Sequence, residues 1–357
     1  MSDFDFDLPG ELIAQEPLAE RSASRLLTLD RHTGRMADRH FADLPGLLHD
    51  GDLLVVNDTR VFAARLLGRR LPGGGAAECL LVRRLPSADS GGDSPLSSET
   101  WEALVHPGQR LKAGSRLEFD GAAHTIHGEI LDRRFHGRRA VRLWTTSATL
   151  AEAIDAIGHV PLPPYIKRAD HSSDRERYQT MFARARGSIA APTAGLHFTP
   201  ELVADLNARG VERASITLHV GYGTFKPIRT DEVAQHEMDD EHYEVSAEAA
   251  NAINSAARDG RRIVAVGTTT TRALESAASA DGVIAPGPAS TRLFIVPGHR
   301  FRMVTALITN FHLPQSSLLL LVSAFAGRDH VLAAYRHAVA ERYRFYSYGD
   351  AMFIQGS

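Results

Sequence analysis

Ile263-Val264-Ala265-Val266-Gly267-Thr268-Thr269-Thr270-Thr271-Arg272 is the stretch on which the fold turns. Four apolar residues in a row read as a strand covered on both faces, and unbroken runs of this kind belong to parallel sheets. The run stops at a glycine and passes through four threonines into a helical pattern over Arg272–Ala278. A strand that feeds a helix through such a turn is the unit of an α/β fold. The same grammar recurs four times. Leu53–Val56 runs into Asn57-Asp58-Thr59-Arg60, Ser188–Ala191 into Pro192-Thr193-Ala194-Gly195-Leu196-His197, and Ile216–Leu218 into His219-Val220-Gly221-Tyr222-Gly223-Thr224. Ala306–Ile308 runs into Thr309-Asn310-Phe311-His312-Leu313-Pro314. Ligands of α/β sheets sit in crevices at strand ends. If the five strands lie side by side, their polar clusters form one composite site, and the pattern predicts an enzyme.

Working outward, the same style covers 1–65 and 150–357, which the sequence assigns to a main, mixed α/β catalytic domain. Thr199-Pro200 opens a helix closed by Gly210, with a capping hydroxyl and a proline at the first helical position. Ser246 caps a second helix that ends near Gly260; Ser316 or Ser317 begins Leu318–Ala326, stopped by Gly327; and Asp329 caps a fourth helix reaching about Arg342. Residues 66–149 differ. Glu78–Leu85, Trp101–His106, Arg116–Phe119, Thr125–Leu131 and Arg139–Trp144 are short, alternating and turn-separated, which predicts an inserted small antiparallel β-barrel-like domain. The low-complexity loop Ser87–Ser98 reads as mobile and dispensable.

Composition narrows the class. The 357 residues are 43% apolar and 23% charged, the proportions of an ordinary globular protein. A net charge of −3 argues against a polybasic nucleic-acid coat, although not against a local basic patch. The one cysteine, Cys79, excludes an intrachain disulfide and fits a reducing compartment. The acidic start Met1–Asp7 does not read as a signal or transit peptide, and Leu318–Ala326 is far short of the roughly 20 residues a bilayer requires. The expectation is a cytoplasmic monomer with no membrane partner.

Several motifs admit two readings. Gly221-Tyr222-Gly223-Thr224 is either a tight turn or part of a glycine-rich ligand loop. Gly267–Arg272 is either a threonine-rich helix cap or a holder of an anion or ribose. The Arg-bearing segments Ser24-Arg25, Thr59-Arg60 and Tyr343-Arg344 bind phosphate or carboxylate, or pair internally, with Asp58 an obvious partner. Tyr346–Met352 presents a carboxylate, Asp350, among aromatics; it suits a cationic ligand, and a packed C-terminal strand explains it as well. His197, His219, His236 and His312 lie in or beside the clusters, but no metal-ligand spacing accompanies them, so no metal is expected. Neither a P-loop nor a G-x-S-x-G motif is present.

Taken in order, the motifs resemble one family. Phe6-Asp7-Leu8-Pro9, Leu12–Gln15, Arg21 with Ser24–Leu27, Gly51–Val61, Gly158–Arg168, Tyr178–Thr180 and Ala190–Phe198 carry the likeness. Leu218–Phe225, Val266–Leu274, Leu307–Leu313, Val322–Gly327 and Tyr343–Met352 complete it. Together they resemble the S-adenosylmethionine:tRNA ribosyltransferase-isomerases of queuosine biosynthesis. Two places depart from that pattern: His236–Glu241, where the second histidine of a His-x-Met-His-x-Glu motif is Asp239, and Thr291-Arg292, where an acidic residue is replaced.

The resemblance implies that the ribosyl group of S-adenosylmethionine moves onto tRNA carrying 7-aminomethyl-7-deazaguanine and rearranges, with adenine and methionine released. It implies no cofactor, because S-adenosylmethionine is consumed. Such chemistry needs a base for the carbon beside the sulfonium and an acid for the departing purine. Position at strand ends nominates His197, His219 and His312 for proton transfer, with Asp58 and Glu241 behind them. Substrate contacts are expected from Asn57, Thr59, Arg60, Thr193, Gly221, Gly223, Thr224, Gly267, Thr268, Thr269, Arg272, Asn310, Tyr348 and Asp350. The basic stretch with Lys167, Arg168, Arg175 and Arg177 is expected to meet RNA phosphates, its alternative being a solvated helix face. A methyltransferase using the same donor, or a non-catalytic RNA-binding protein, are the competing classes. The first would yield S-adenosylhomocysteine, and the second would show stacking aromatics and a stronger basic bias.

Overall fold

The computed structural model describes residues 2–86, 98–134, 137–146, 149–221 and 238–356. Gly223, Thr224, His236 and the loop residues 87–97 lie outside the described residues. The chain forms two compact units, Met1–Arg60 with Pro163–Arg168 and Arg177–Ser357, and Val61–Leu162 with Ala169–Glu176.

The larger unit is built on a nine-stranded sheet. Its strands are β1 (Arg25–Asp30), β2 (Met36–His40), β3 (Leu53–Asn57), β12 (Glu212–Leu218), β13 (Glu241–Val245), β14 (Ile263–Val266), β15 (Gly287–Thr291), β16 (Ala306–Asn310) and β17 (Ala351–Gln355). Their order is β15-β13-β12-β3-β14-β16-β17-β1-β2. The central four, β12, β3, β14 and β16, run parallel. β17 is antiparallel to β16 and parallel to β1. β3, β14 and β16 are buried along their whole length, as unbroken apolar runs require when both faces are covered.

Alternation divides these side chains between two cores. Leu53, Val55, Ala265 and Leu307 face one side with α4 (Ala247–Arg258), α5 (Thr268–Ala277), α6 (Ser317–Ala326) and α7 (Arg328–Ala340). Leu54, Val56, Val264 and Ile308 face the other, with α3 (Pro200–Ala208) and Phe41. Each such aliphatic side chain contributes about 1.5–3 kcal/mol on burial, so the two cores fix the sheet and the level at which its strands end. The caps of α3, α4 and α6 are the expected ones: Thr199, Ser246 and Ser316 each accept from the backbone N–H three residues on. Two helices begin earlier than the sequence predicts. α5 starts at Thr268, so the threonines form its first turn; α7 starts at Arg328 behind Gly327, which leaves Asp329 inside the helix beside Arg328. The predicted strand Ser188–Ala191 is also displaced. β11 (Ala185–Ser188) pairs with β4 (Thr59–Val61) outside the large sheet, and Thr193–His197 forms a 3-10 turn.

The second unit holds a closed antiparallel barrel in the order β10-β7-β6-β5-β8-β9, the antiparallel barrel that the sequence suggests. These are β5 (Arg65–Leu71), β6 (Ala76–Arg84), β7 (Ser98–His106), β8 (Arg116–Asp120), β9 (Thr125–Arg133) and β10 (Arg138–Trp144). β5 went unread because its alternation is interrupted by Gly68. There any Cβ would lie 2.1 Å from the Glu118 carbonyl oxygen of β8, so only glycine admits the neighbouring strand. The unit is wider than 66–149: α1 (Leu150–Ile157), capped by Thr149, also belongs to it, with Ile157 against Gly121.

Candidate active site

Because β12, β3, β14 and β16 are parallel neighbours, four polar clusters come to one edge of the sheet. β17 and β1 begin at that edge, since they run against β16, and so deliver Asp350 and Ser24 there. Pro192–His197 arrives from outside the sheet. Ser188 positions it by accepting from Val220 N–H at 2.8 Å and donating to the Ala190 carbonyl at 2.8 Å.

At the end of β16, Asn310 is held from both sides. Its Oδ1 accepts from Thr193 Oγ1 at 3.0 Å and its Nδ2 donates to His197 Nε2 at 3.1 Å. His197 Nδ1 then carries the proton and faces Ser24 Oγ at 2.7 Å, while the ring stacks on Phe41 at 4.9 Å. Both ring nitrogens are engaged. Burial pushes the pKa of His197 down to about 4, so the ring stays neutral.

A cleft of about 470 Å³ opens between this network and α5, with Asn310, Thr193, Gly267, Thr268, Thr269 and His312 in its lining. His312 Nε2 lies 2.9 Å from Thr309 Oγ1, and its backbone N–H donates to Tyr335 OH at 3.0 Å. Nδ1 has no hydrogen-bond partner among the described residues. Burial alone lowers this histidine to about 3. Phe311, between Asn310 and His312, points into the opposite core against Tyr335, Tyr343 and Phe345, which anchors the turn.

Sequence reasoning passed over three further lining residues, Tyr165, Tyr346 and Ser347. Tyr165 hydroxyl bonds Ser347 Oγ, and its ring meets Tyr346 edge-on at 3.9 Å. Tyr346 has φ +73°, a left-handed conformation that an aromatic residue adopts only under constraint; its N–H donates to the Phe311 carbonyl at 3.0 Å. The sequence singled out Tyr346–Met352 only for Asp350 among its aromatics. The meeting of Tyr346 with Tyr165, far away in sequence, had no signal there.

The first turn of α5 divides its four hydroxyls. Thr270 and Thr271 bond back to the carbonyls of Val266 and Gly267. Thr268 and Thr269 line the cleft, and Thr269 Oγ1 is buried without a partner among the described residues. Among the described residues, no side chain caps this helix.

The other predicted residues lie away from the cleft lining or are committed elsewhere. Asn57 joins two strands, donating to the Leu218 carbonyl and accepting from the N–H groups of Leu218 and Thr59. Asp58 accepts from Thr217 Oγ1 at 2.6 Å and pairs with Arg184 at 3.0 Å; the sequence had pointed to its neighbour Arg60, which is exposed. Thr59 Oγ1 lies 2.8 Å from His219 Nδ1, and the imidazole covers Gly187 so closely that a Cβ there would sit 2.6 Å from the ring. Burial lowers the His219 pKa against the opposing charge of Asp58.

Glu241 and Arg272 form a fully buried ion pair, in which Glu241 also accepts from Gly221 N–H and Arg272 donates to the Leu293 carbonyl. Asp350 accepts from the N–H groups of Arg25 and Arg344, and burial lifts its pKa. Its carboxylate ties the start of β1 to the segment that leads into β17. Tyr348 lines a second hollow of about 330 Å³ together with Arg21, Ser24, Arg177 and His197. Arg292, at one of the departures from the family pattern, lies 3.9 Å from Asp240.

The basic stretch fastens chain to chain. Arg168 pairs with Glu16, and Arg177 donates to the carbonyls of Leu18 and Ala19. Arg175 donates to those of Asp155 and Gly158 within the second unit. Lys167 is exposed, its backbone N–H bonded to Gln15. Among the described residues, no three His, Cys, Asp or Glu side chains come together as a metal site.

Comparison with known proteins adds a family. The model of the queuosine biosynthesis protein family matches residues 1–354. Proteins called S-adenosylmethionine:tRNA ribosyltransferase-isomerase from Solibacter usitatus and Symbiobacterium thermophilum are each 50% identical to this chain, with 99% of each chain covered. The crystal structure of an S-adenosylmethionine tRNA ribosyltransferase from Thermotoga maritima is similar along 99% of both chains, at 38% identity and a TM-score of 0.54.

Proposed function

The chain belongs to the queuosine biosynthesis protein family as an enzyme of the S-adenosylmethionine:tRNA ribosyltransferase-isomerase kind, and on that premise we propose the reaction and the groups that perform it. The ribosyl portion of S-adenosylmethionine passes to the aminomethyl group of 7-aminomethyl-7-deazaguanine at the tRNA wobble position. There it isomerises to an epoxycyclopentanediol, giving epoxyqueuosine, and adenine and methionine leave. The observation that carries this reading is the end-to-end likeness, which no single short motif supplies.

In this proposal S-adenosylmethionine occupies the cleft between α5 and the end of β16. The sulfonium acidifies the adjacent 5′ carbon, and His312 Nδ1, the imidazole nitrogen left open to the cleft, takes that proton. Burial makes the resulting imidazolium a strong acid. It is therefore suited to pass the proton to the purine as adenine departs. Asn310, with its amide fixed by Thr193 and His197, is a rigid hydrogen-bonding group for the ribose. His197 acts as a positioning residue, since its own nitrogens are taken. His219 and Asp58 hold the β3–β12 edge.

Incubation with S-adenosylmethionine and tRNA bearing the aminomethyl base tests the reaction. Free adenine, together with the mass gain of the rearranged ribosyl group on the nucleoside, is the expected outcome. Formation of S-adenosylhomocysteine would instead mark a methyltransferase.

A further inference from the structure

We propose that the first turn of α5, Gly267 to Thr269, is the subsite for the α-carboxylate of S-adenosylmethionine. This rests on the donor assigned above and adds which end of that donor α5 holds.

Three observations point there. First, the leading N–H groups of a helix have no intrahelical acceptor, and among the described residues no side chain caps them; the first intrahelical bond is Thr271 N–H to the Gly267 carbonyl. With the helix dipole they favour a negative charge. Second, Thr269 is 6% exposed and its Oγ1 has no partner among the described residues, although it lines the cleft. An orphaned hydroxyl at that depth costs about 1–3 kcal/mol, which a bound acceptor recovers. Third, Gly267 has φ +93°, and among the described residues a Cβ built on it would meet only Ala194 Cβ and Thr269 Oγ1, both at 3.8 Å. The glycine leaves open the space beside that hydroxyl.

The kind of anion follows from what surrounds the turn. Among the described residues, no lysine or arginine lines the cleft. RNA phosphate is ordinarily met by such cations, exposed to solvent. A compact carboxylate suits a pocket of amides and hydroxyls. S-adenosylmethionine has a single carboxylate, at the end of the methionyl chain, and its remaining charges are cationic.

The test uses two ligands, S-adenosylmethionine and its decarboxylated form, with the full-length parent enzyme, Thr269→Val and Thr269→Ser. Binding is measured by calorimetry and adenine release in a single turnover. The parent should bind the decarboxylated ligand about tenfold or more weakly. Thr269→Val should weaken S-adenosylmethionine by about fivefold to tenfold and leave the decarboxylated ligand unchanged, and Thr269→Ser should restore the parent pattern. Equal binding of both ligands by the parent would overturn the proposal. So would a Thr269→Val loss that is the same for both, which would place the hydroxyl on the ribose or purine. Should Thr269→Val fail to fold, the parent's ligand preference and its persistence in Thr269→Ser still decide the matter. Carboxylate-dependent binding without adenine release would leave the subsite standing and remove the reaction instead.

Discussion

Asn310 Nδ2 donates to His197 Nε2 across 3.1 Å, and this bond sets the face that Asn310 turns to the cleft. Removing the imidazole leaves Asn310 Nδ2 with only a 3.4 Å bond to the Asp350 carbonyl and Ser24 Oγ with only a 3.3 Å bond to the Arg21 carbonyl. His197→Ala should lower stability by about 2–4 kcal/mol, read by urea denaturation. It should also raise KM for S-adenosylmethionine through the freed amide. A variant as stable as the parent would mean that the network bears no load.

The two buried histidines make stability depend on pH. Their folded pKa values, about 4 for His197 and about 3 for His312, lie below the ordinary value of 6.5. Between these limits the unfolded chain binds more protons than the folded one, so stability rises with pH there. The contribution is complete above pH 6.5 and is lost as pH falls toward 4. Urea midpoints at pH 7.5 and 4.5 should differ, and the difference should shrink in His197→Gln.

His312→Ala should reduce kcat by about 10²–10⁴-fold while S-adenosylmethionine still binds. Exchange of the 5′ hydrogen with solvent deuterium should vanish with it. Since burial holds the free-enzyme pKa near 3, kcat/KM should show no histidine limb between pH 5 and 8. A limb near 6.5 would mean that another group carries the proton.

Glu241 and Arg272 are each 3% exposed. Glu241→Gln strands the guanidinium in the interior and should cost about 3–5 kcal/mol, whereas Glu241→Leu with Arg272→Met should cost less than either single change. Chemical denaturation of the four proteins reads the difference. Equal losses would show that packing, rather than charge, holds β13 to α5.

Lys167 is the cleaner probe of RNA contact, because Arg175 and Arg177 are tied to carbonyls whose loss would disturb the fold. Lys167→Glu should weaken tRNA binding and reduce its salt dependence by about one counterion, with the melting temperature unchanged. Unchanged affinity would remove this side chain from the interface.

The sequence by itself determined the central parallel strands and most of the helix ends, but not β5 or the true place of Ser188–Ala191. Uninterrupted runs such as Leu53–Val56 and Ile263–Val266 have one good physical use, a strand buried on both faces, and capping hydroxyls and glycines mark helix ends from local chemistry alone. Convergence of the polar clusters was legible too, since the central strands are parallel and all end at one edge. The tertiary structure alone decided which polar residue is open to a ligand. Asn57, Asp58, Arg272 and Asp350 have the right chemistry and the right address. Partners as distant as Leu218, Thr217, Glu241 and Arg25 take up their hydrogen-bonding capacity. Among the described residues, His312 Nδ1 and Thr269 Oγ1 have no such partner, and Tyr165 meets Ser347 only because the chain folds back. Propensity and periodicity are local, but whether a buried polar atom is satisfied depends on what the rest of the chain brings within 3 Å of it.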